Sequence, residues 1–406
     1  MFLKNILIKN FKSLRDIDLD LEPINVLVGP NGSGKTNFAE ALRFLQTVYS
    51  QGLSMAVGNF GGIENIFYRK SRRSRSPIEF TIRCEPVTKK GGWPPGPPVT
   101  SYEHWFCLRA KGQSISADYT VEDERVIVDW GDDRPELIRN KNEIWTPDKS
   151  GKTDEFFGKN LIEFLKSNIT GNELMLAPPF FLGRPMSGFF QFFTNWNVIR
   201  LHAEGVRRSS APKPSPSLSL WGENLPTIVQ WMQTDEKEAW RRVLAMMQQV
   251  VPTLEEISVD YSATKKLRLY FKEQSIARPW PVEDVSDGTL QSLAIFVSIY
   301  NPRTSLVVIE EPENAVHPWI IRKIVEALRS LSKQKTVFLT THSPVLVDQL
   351  RPSELLIVSK GDDGTQIDRM TDLVPTIESE FNEGEIGLSE YLDAGFIPRA
   401  VPGGAL

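Results

Sequence analysis

The chain has 406 residues, enough to bury a full core and to hold more than one domain. Its composition is that of a soluble globular protein with a formal net charge of −4. That slightly acidic balance argues against coating nucleic acid by overall charge and leaves room only for local basic patches.

The opening MFLKNILIKNFKSL alternates apolar and polar residues, which reads as a strand and not as a signal peptide. No stretch approaches the roughly 20 apolar residues of a membrane helix, and the only cysteines, Cys84 and Cys107, lack metal-ligand spacing. They fit small apolar packing in a reducing compartment, so a cytoplasmic protein without a membrane partner is expected. LKNILIKNF, LRDIDLDLE and INVLVG predict three strands over 1–28, the last nearly all apolar and therefore buried. TNFAEALRFLQTVY then places Phe38, Leu42, Leu45 and Val48 at helical spacing.

A less regular middle follows. Residues 86–100 and 209–219 are dense in Pro, Gly and Ser and read as loops. EFFGKNLIEFLKSN reads as helical, and LPTIVQWMQTDEKEAWRRVLAMMQQVV as two short helices, the second opened by Asp235 as N-cap. From about 255, ISVDYSATKKLRLYFKE returns to strand. Helix (SDGTLQSLAIFVSIY), buried strand (TSLVVIE), amphipathic helix (PWIIRKIVEALRSLSK) and two more strands (TVFLTTHS, ELLIVSK) complete the pattern. This alternation predicts an α/β fold with a mixed, mostly parallel sheet. Heptads and internal repeats are absent.

GPNGSGKT, Gly29 to Thr36, matches G-x-x-x-x-G-K-[ST] between a buried strand and a helix, the context of a phosphate-binding loop. Gly29, Gly32 and Gly34 let the backbone turn its N–H groups inward, and the helix N-terminus adds favourable partial charge. Lys35 is expected to reach the terminal phosphates and Thr36 to offer a hydroxyl to magnesium. Such a loop needs an acid on a neighbouring buried strand, and VVIEEPENAVHP supplies two. Glu310 is expected to hold the ion, and Glu311 to orient and deprotonate the attacking water. Two carboxylates beside a divalent cation repel less than two alone. The alternative is a pair of acids favoured by a helix dipole before Pro312. THSPVLV puts His342 at a strand end; alone it reads as structural, but after a phosphate loop and an acidic pair it reads as a γ-phosphate contact. Ser286, Asp287 and Gly288 stand immediately before a helix, a second anion-binding start with a hydroxyl available, though also an ordinary cap.

In this order the motifs resemble an ABC-type ATPase head, and within that class the RecF/OLD-type ATPases: FKSL, GPNGSGKTN, SDGTLQSLA, IEEPENAVHP and TTHSP all match their pattern. WGENLPTIVQWM and VVPTLEEISV resemble that group's middle region. The resemblance implies ATP and Mg2+ as cofactors, with Gly29, Pro30, Asn31, Gly32, Ser33, Gly34, Lys35, Thr36 and Asn37 holding the nucleotide. It implies Thr36 and Glu310 at the metal, and Glu311, His342 and Lys35 as catalytic residues. Ser286, Asp287 and Gly288 would meet the nucleotide, Ser286 and Gly288 at the γ-phosphate of an opposite subunit. Glu313, Asn314 and His317 would lie near the seam of a homodimer or higher even oligomer. The signature is SDGTL and not the LSGGQ of transporters. Gln46 and Gln51 are the candidates for a Q-loop glutamine by position and read as helix-surface residues.

The organisation expected is one ATPase head from 1–84 and 251–406, interrupted by a partly helical lobe over 85–250. Many OLD proteins carry a C-terminal Toprim nuclease, and the stretch after His342 is too short for one. The likeness therefore implies a switch controlling a separately encoded effector, such as a nuclease, in bacterial anti-phage defence. A RecF-like DNA-binding repair clamp and a slow-hydrolysing nucleotide-gated scaffold are the alternatives. RKSRRSR (69–75) suits a phosphate backbone, an acidic partner or simply a solvated loop. The aromatic stretch 180–196 reads as core packing, with a partner surface as the alternative.

Overall fold

A computed structural model of the protein describes residues 1–68, 76–86, 98–111, 118–177, 186–212, 217–314, 316–384 and 387–393. The basic cluster 69–75, the centres of both Pro-rich loops and the start of the aromatic stretch lie outside these residues. The chain forms two compact units: one of 1–22, 31–194 and 358–367, the other of 23–30, 195–357 and 368–406.

The first unit opens with a hairpin of β1 (Phe2–Phe11) and β2 (Leu14–Asp20), in register at Ile6↔Leu19 and Ile8↔Ile17. The second unit takes the next strand, β3 (Ile24–Val28). Back in the first unit come α1 (Lys35–Gln51) and α2 (Leu53–Asn59), then a run of antiparallel strands. These are β4 (Ile78–Glu85), β5 (Val99–Lys111), β6 (Asp118–Trp130), β7 (Glu136–Asn140) and β8 (Glu143–Trp145). The irregular middle expected from the sequence is therefore corrected: β5 and β6 are strands of 13 residues each. The stretch expected to be helical forms two helices, α3 (Lys152–Phe157) and α4 (Leu161–Asn168), divided at Gly158, where φ is +100°. With α5 (Ser187–Thr194), α1 packs an aromatic core in which Phe44 stacks on Phe80 at 5.7 Å and Tyr49 meets Phe193 at 4.1 Å. Phe189, Phe190, Phe192 and Phe193 are buried, so the described part of the aromatic stretch is core.

The second unit continues with β9 (Trp196–Ile199), α6 (Ala203–Val206), α7 (Leu225–Asp235) and α8 (Lys237–Val250). Asp235 ends α7 and does not cap α8: its carboxylate accepts from the Thr234 hydroxyl, and Glu236 occupies the cap position. β10 (Leu254–Tyr261), β11 (Leu267–Glu273) and β12 (Trp280–Pro281) make a small antiparallel sheet. Then come α9 (Asp287–Tyr300), β13 (Leu306–Glu310), α10 (Pro318–Leu331), β14 (Thr336–Thr341), α11 (Pro344–Val347) and β15 (Leu355–Gly361). Within this unit, which holds β15 as far as Ile357, the strand order is β15-β3-β14-β13-β9, all parallel. α9 is buried from Leu290 to Ile299, and α10 buries Ile320, Ile321, Ile324 and Leu328, each worth about 1.5–3 kcal/mol. The register aligns three carboxyl ends: Val28 pairs with Thr341, and Glu310 with Thr340. Ligands of open α/β sheets bind just beyond such ends.

Candidate nucleotide site

The loop after β3 takes positive φ at Gly32 (+77°) and Gly34 (+118°). Gly34 precedes α1, and the helix start carries no side-chain cap. A Cβ at Gly34 would lie 2.0 Å from Thr365 Oγ1, so only glycine fits there. Thr365 lies on β16 (Gly364–Arg369), which pairs with β2 in the first unit. A directed chain of hydrogen bonds fixes the loop from outside: Asn37 Nδ2 donates to Ser13 Oγ at 2.7 Å, Ser13 and Thr365 hydroxyls meet at 2.7 Å, and Thr365 donates to the Ser33 carbonyl at 2.8 Å. The Asn37 amide is thereby engaged with Ser13. Ser33 is buried and its hydroxyl finds no hydrogen-bond partner among the described residues, while Lys35 is buried at the first helical position. An uncapped helix start, a glycine with no room for a side chain and an orphaned hydroxyl together fit a phosphate-bearing ligand.

Gly29 and Pro30 follow β3 in the second unit, whereas Asn31 to Asn37 belong to the first. The second unit also holds the acids, the histidine and the signature. β13 ends at Glu310, and Glu311 takes φ +48°, an uncommon left-handed state for a non-glycine residue. The turn is held by the Glu311 N–H, which donates to the Thr340 carbonyl at 2.9 Å. Leaving the strand there breaks the alternation that would govern two successive side chains. The Glu311 Oε2 accepts from Asn314 Nδ2 at 2.8 Å. Glu313 ties two strand ends together: its Oε1 accepts from Thr341 Oγ1 and from the His342 N–H, both at 2.7 Å. His342 itself is exposed just past β14. His317, grouped with Glu313 in the sequence, caps α10 by accepting from the Trp319 N–H at 3.4 Å. Among the described residues, then, β3, β14 and β13 deliver Gly29, His342 and Glu310 to one sheet edge.

Ser286 is the N-cap of α9, its Oγ accepting from the Thr289 N–H at 3.2 Å. Ser286 and Asp287 are exposed although the helix behind them is buried. The Asp287 carboxylate is held by Arg207, which sequence reasoning did not single out. At the other end of α9, buried Lys335 donates to the carbonyls of Ile299 and Asn301, and burial pulls its pKa down to about 7. Gln46 and Gln51 both lie on α1, half-buried and exposed respectively. Ser13 sits in the FKSL stretch that the sequence marked without a role; Thr365 has no local signal at all.

Residues 1–174 match a family described as an AAA ATPase domain, and residues 196–348 one described as an AAA domain, putative AbiEii toxin, type IV TA system. The OLD nuclease of Thermus scotoductus is 26% identical over 380 residues, covering 89% of this chain and 62% of that protein. The endonuclease GajA of Bacillus cereus is 22% identical over 377 residues, covering 88% and 58%. The chain thus spans about three fifths of these relatives' length. The DNA replication and repair protein RecF of Lactobacillus johnsonii is 30% identical over 97 residues, 22% of this chain and 25% of that one. The solved structure of an SMC head bound to the C-winged helix domain of ScpA superposes with a TM-score of 0.53 at 12% identity, covering 91% of this chain and 98% of that chain. At that identity the likeness is one of fold. No helix among the described residues is long and apolar enough to cross a membrane. Domain matches toward both ends, relatives aligned over most of the length and a head-like fold agree with the order of the motifs, and together they support a RecF/OLD-type ATPase.

Proposed function

We propose that the protein is a Mg2+-dependent ATP switch whose heads close in pairs and whose output acts on a separate effector. The observation that supports this best is the shared sheet edge at which β13 ends in Glu310 and β3 and β14 end just before Gly29 and His342. Bound Mg-ATP supplies the phosphoryl group and the positive charge that neutralises it. The residues of the chain then divide the work. The amides of Asn31 to Gly34 and the Lys35 ammonium hold the phosphates, and the Thr36 hydroxyl and Glu310 carboxylate hold the ion. Glu311 orients the attacking water and takes its proton, and His342 contacts the γ-phosphate. Ser286, exposed ahead of α9, and Gly288 in its first turn serve a nucleotide bound by a second copy.

The relatives named nuclease and endonuclease support an output in nucleic-acid cleavage, and the place in anti-phage defence rests on the OLD-type likeness. The RecF likeness supports a second reading, a clamp that closes on duplex DNA. Turnover of ATP by the purified protein, with and without duplex DNA and across a salt series, tests both. ATP turnover that is indifferent to DNA favours the switch. DNA-stimulated turnover with steeply salt-dependent binding favours the clamp, and absence of turnover with retained ATP binding favours a nucleotide-gated scaffold.

A further inference from the structure

Arg207 directs its whole guanidinium at the loop that leads into α9. Its Nη1 donates to the carbonyls of Val282 at 2.8 Å and Glu283 at 3.0 Å, its Nη2 to the carbonyl of Val285 at 2.7 Å, and Nε and Nη2 both reach Asp287 Oδ1. Three carbonyls and a carboxylate on a span of six residues are thus gathered by one side chain, a geometry that a planar fork can satisfy and an ammonium cannot. The side chain is half-buried between them.

The position of Arg207 is itself built. It follows α6, whose Gly205 lies against the Trp221 carbonyl so closely that a Cβ there would be 2.1 Å from the oxygen. The Arg200 N–H donates to the Leu220 carbonyl at 2.8 Å, and His202 stacks on Trp221 at 4.7 Å. Through these contacts the WGEN stretch seats α6. Upstream, β9 pairs in parallel with β13, the strand that ends in Glu310. One short path therefore runs from the acid-bearing strand through β9 and α6 to the exposed Ser286, all inside the second unit.

We infer that Arg207 is the positioning residue of the signature: it holds the 282–287 loop so that Ser286 and Gly288 present a preformed donor set to the nucleotide of a second copy. The inference rests on the proposed pairing of heads. It places Arg207 outside the nucleotide's own contacts, so its loss should spare binding at the phosphate loop and strike closure and turnover.

The test compares wild type with Arg207→Gln and Arg207→Lys. Binding of the fluorescent analogue mant-ATP, ATP turnover and ATP-dependent mass by light scattering in a Glu311→Gln background are measured on each. Expected for both variants are mant-ATP affinity within twofold of wild type, KM within twofold, kcat lowered at least tenfold and loss of the ATP-dependent dimer. Hydrogen exchange should quicken across 282–288 and stay unchanged in the buried part of α9. Wild-type turnover and dimer in Arg207→Gln would overturn the inference, as would full recovery by Arg207→Lys, since charge alone would then suffice. Unchanged exchange at 282–288 would overturn it whatever the activity. A wild type that binds ATP and never pairs sinks the proposed pairing itself and with it the presentation of Ser286 to a second copy, a result the exchange data keep separate from Arg207's hold on the 282–287 loop. A variant that fails to bind mant-ATP or melts far below wild type makes Arg207 a general structural residue and overturns the inference too.

Discussion

Thr365 Oγ1 donates to the carbonyl of Ser33 at 2.8 Å across a separation of 332 residues. The same side chain fills the space that a Cβ at Gly34 would need. The phosphate loop is therefore braced by a strand far along the chain, through Ser13 and Asn37 as well. Thr365→Val keeps the shape and removes the hydroxyl. One buried hydrogen bond is worth about 1 kcal/mol, so ATP affinity should fall between about threefold and tenfold with a similar loss in unfolding free energy. Thr365→Ser should restore both. Titration calorimetry and urea unfolding read the two effects.

Tyr49, on the helix that opens at Lys35, meets His104 Nδ1 at 2.6 Å, and His104 Nε2 lies 3.0 Å from Glu124 Oε1. Glu124 also accepts from the N–H groups of Met175 and Leu176, and all three side chains are buried. Each member satisfies a neighbour, so removing one leaves a buried polar atom alone. Tyr49→Phe should cost about 1–3 kcal/mol in urea unfolding and leave mant-ATP affinity within twofold.

Lys335 carries a pH signature. Burial lowers its pKa from 10.5 to about 7. Between those values the unfolded chain holds a proton that the folded chain has released, so stability rises with pH there, by up to about 1.4 kcal/mol per pH unit. Below pH 7 the penalty of burying the ammonium is fully present. The unfolding free energy of wild type minus that of Lys335→Met should therefore rise between pH 7 and 9, measured by urea unfolding. A difference that falls with pH would reverse the sign and refute the assignment.

Much of this was legible in the sequence because it is local. GPNGSGKT follows an apolar strand and opens a helix, VVIEE ends a buried run, and SDG opens a buried helix; each appears where chain-neighbour chemistry dictates. β5 and β6 escaped the period-two test because His104 and Glu124 occupy inward positions, where an apolar residue would have marked the face. Asp235 looked like a cap, but α7 runs through it and Glu236 takes the cap position of α8. Asp287 looked available to a ligand, and Arg207, 80 residues earlier, holds it. Thr365 and Arg207 act at long range on motifs they do not resemble, and no local pattern announces such a contact.

Glu311 is the residue on which the switch turns. The most direct measurement is ATP turnover and ATP-dependent mass of Glu311→Gln beside wild type and Lys35→Ala, all with magnesium. Glu311→Gln should bind ATP, persist as a dimer and hydrolyse at least about a hundredfold more slowly, while Lys35→Ala should neither bind nor pair. Glu311→Gln turning over at the wild-type rate, as a monomer, would contradict the assignment of the acidic pair and the switch built on it.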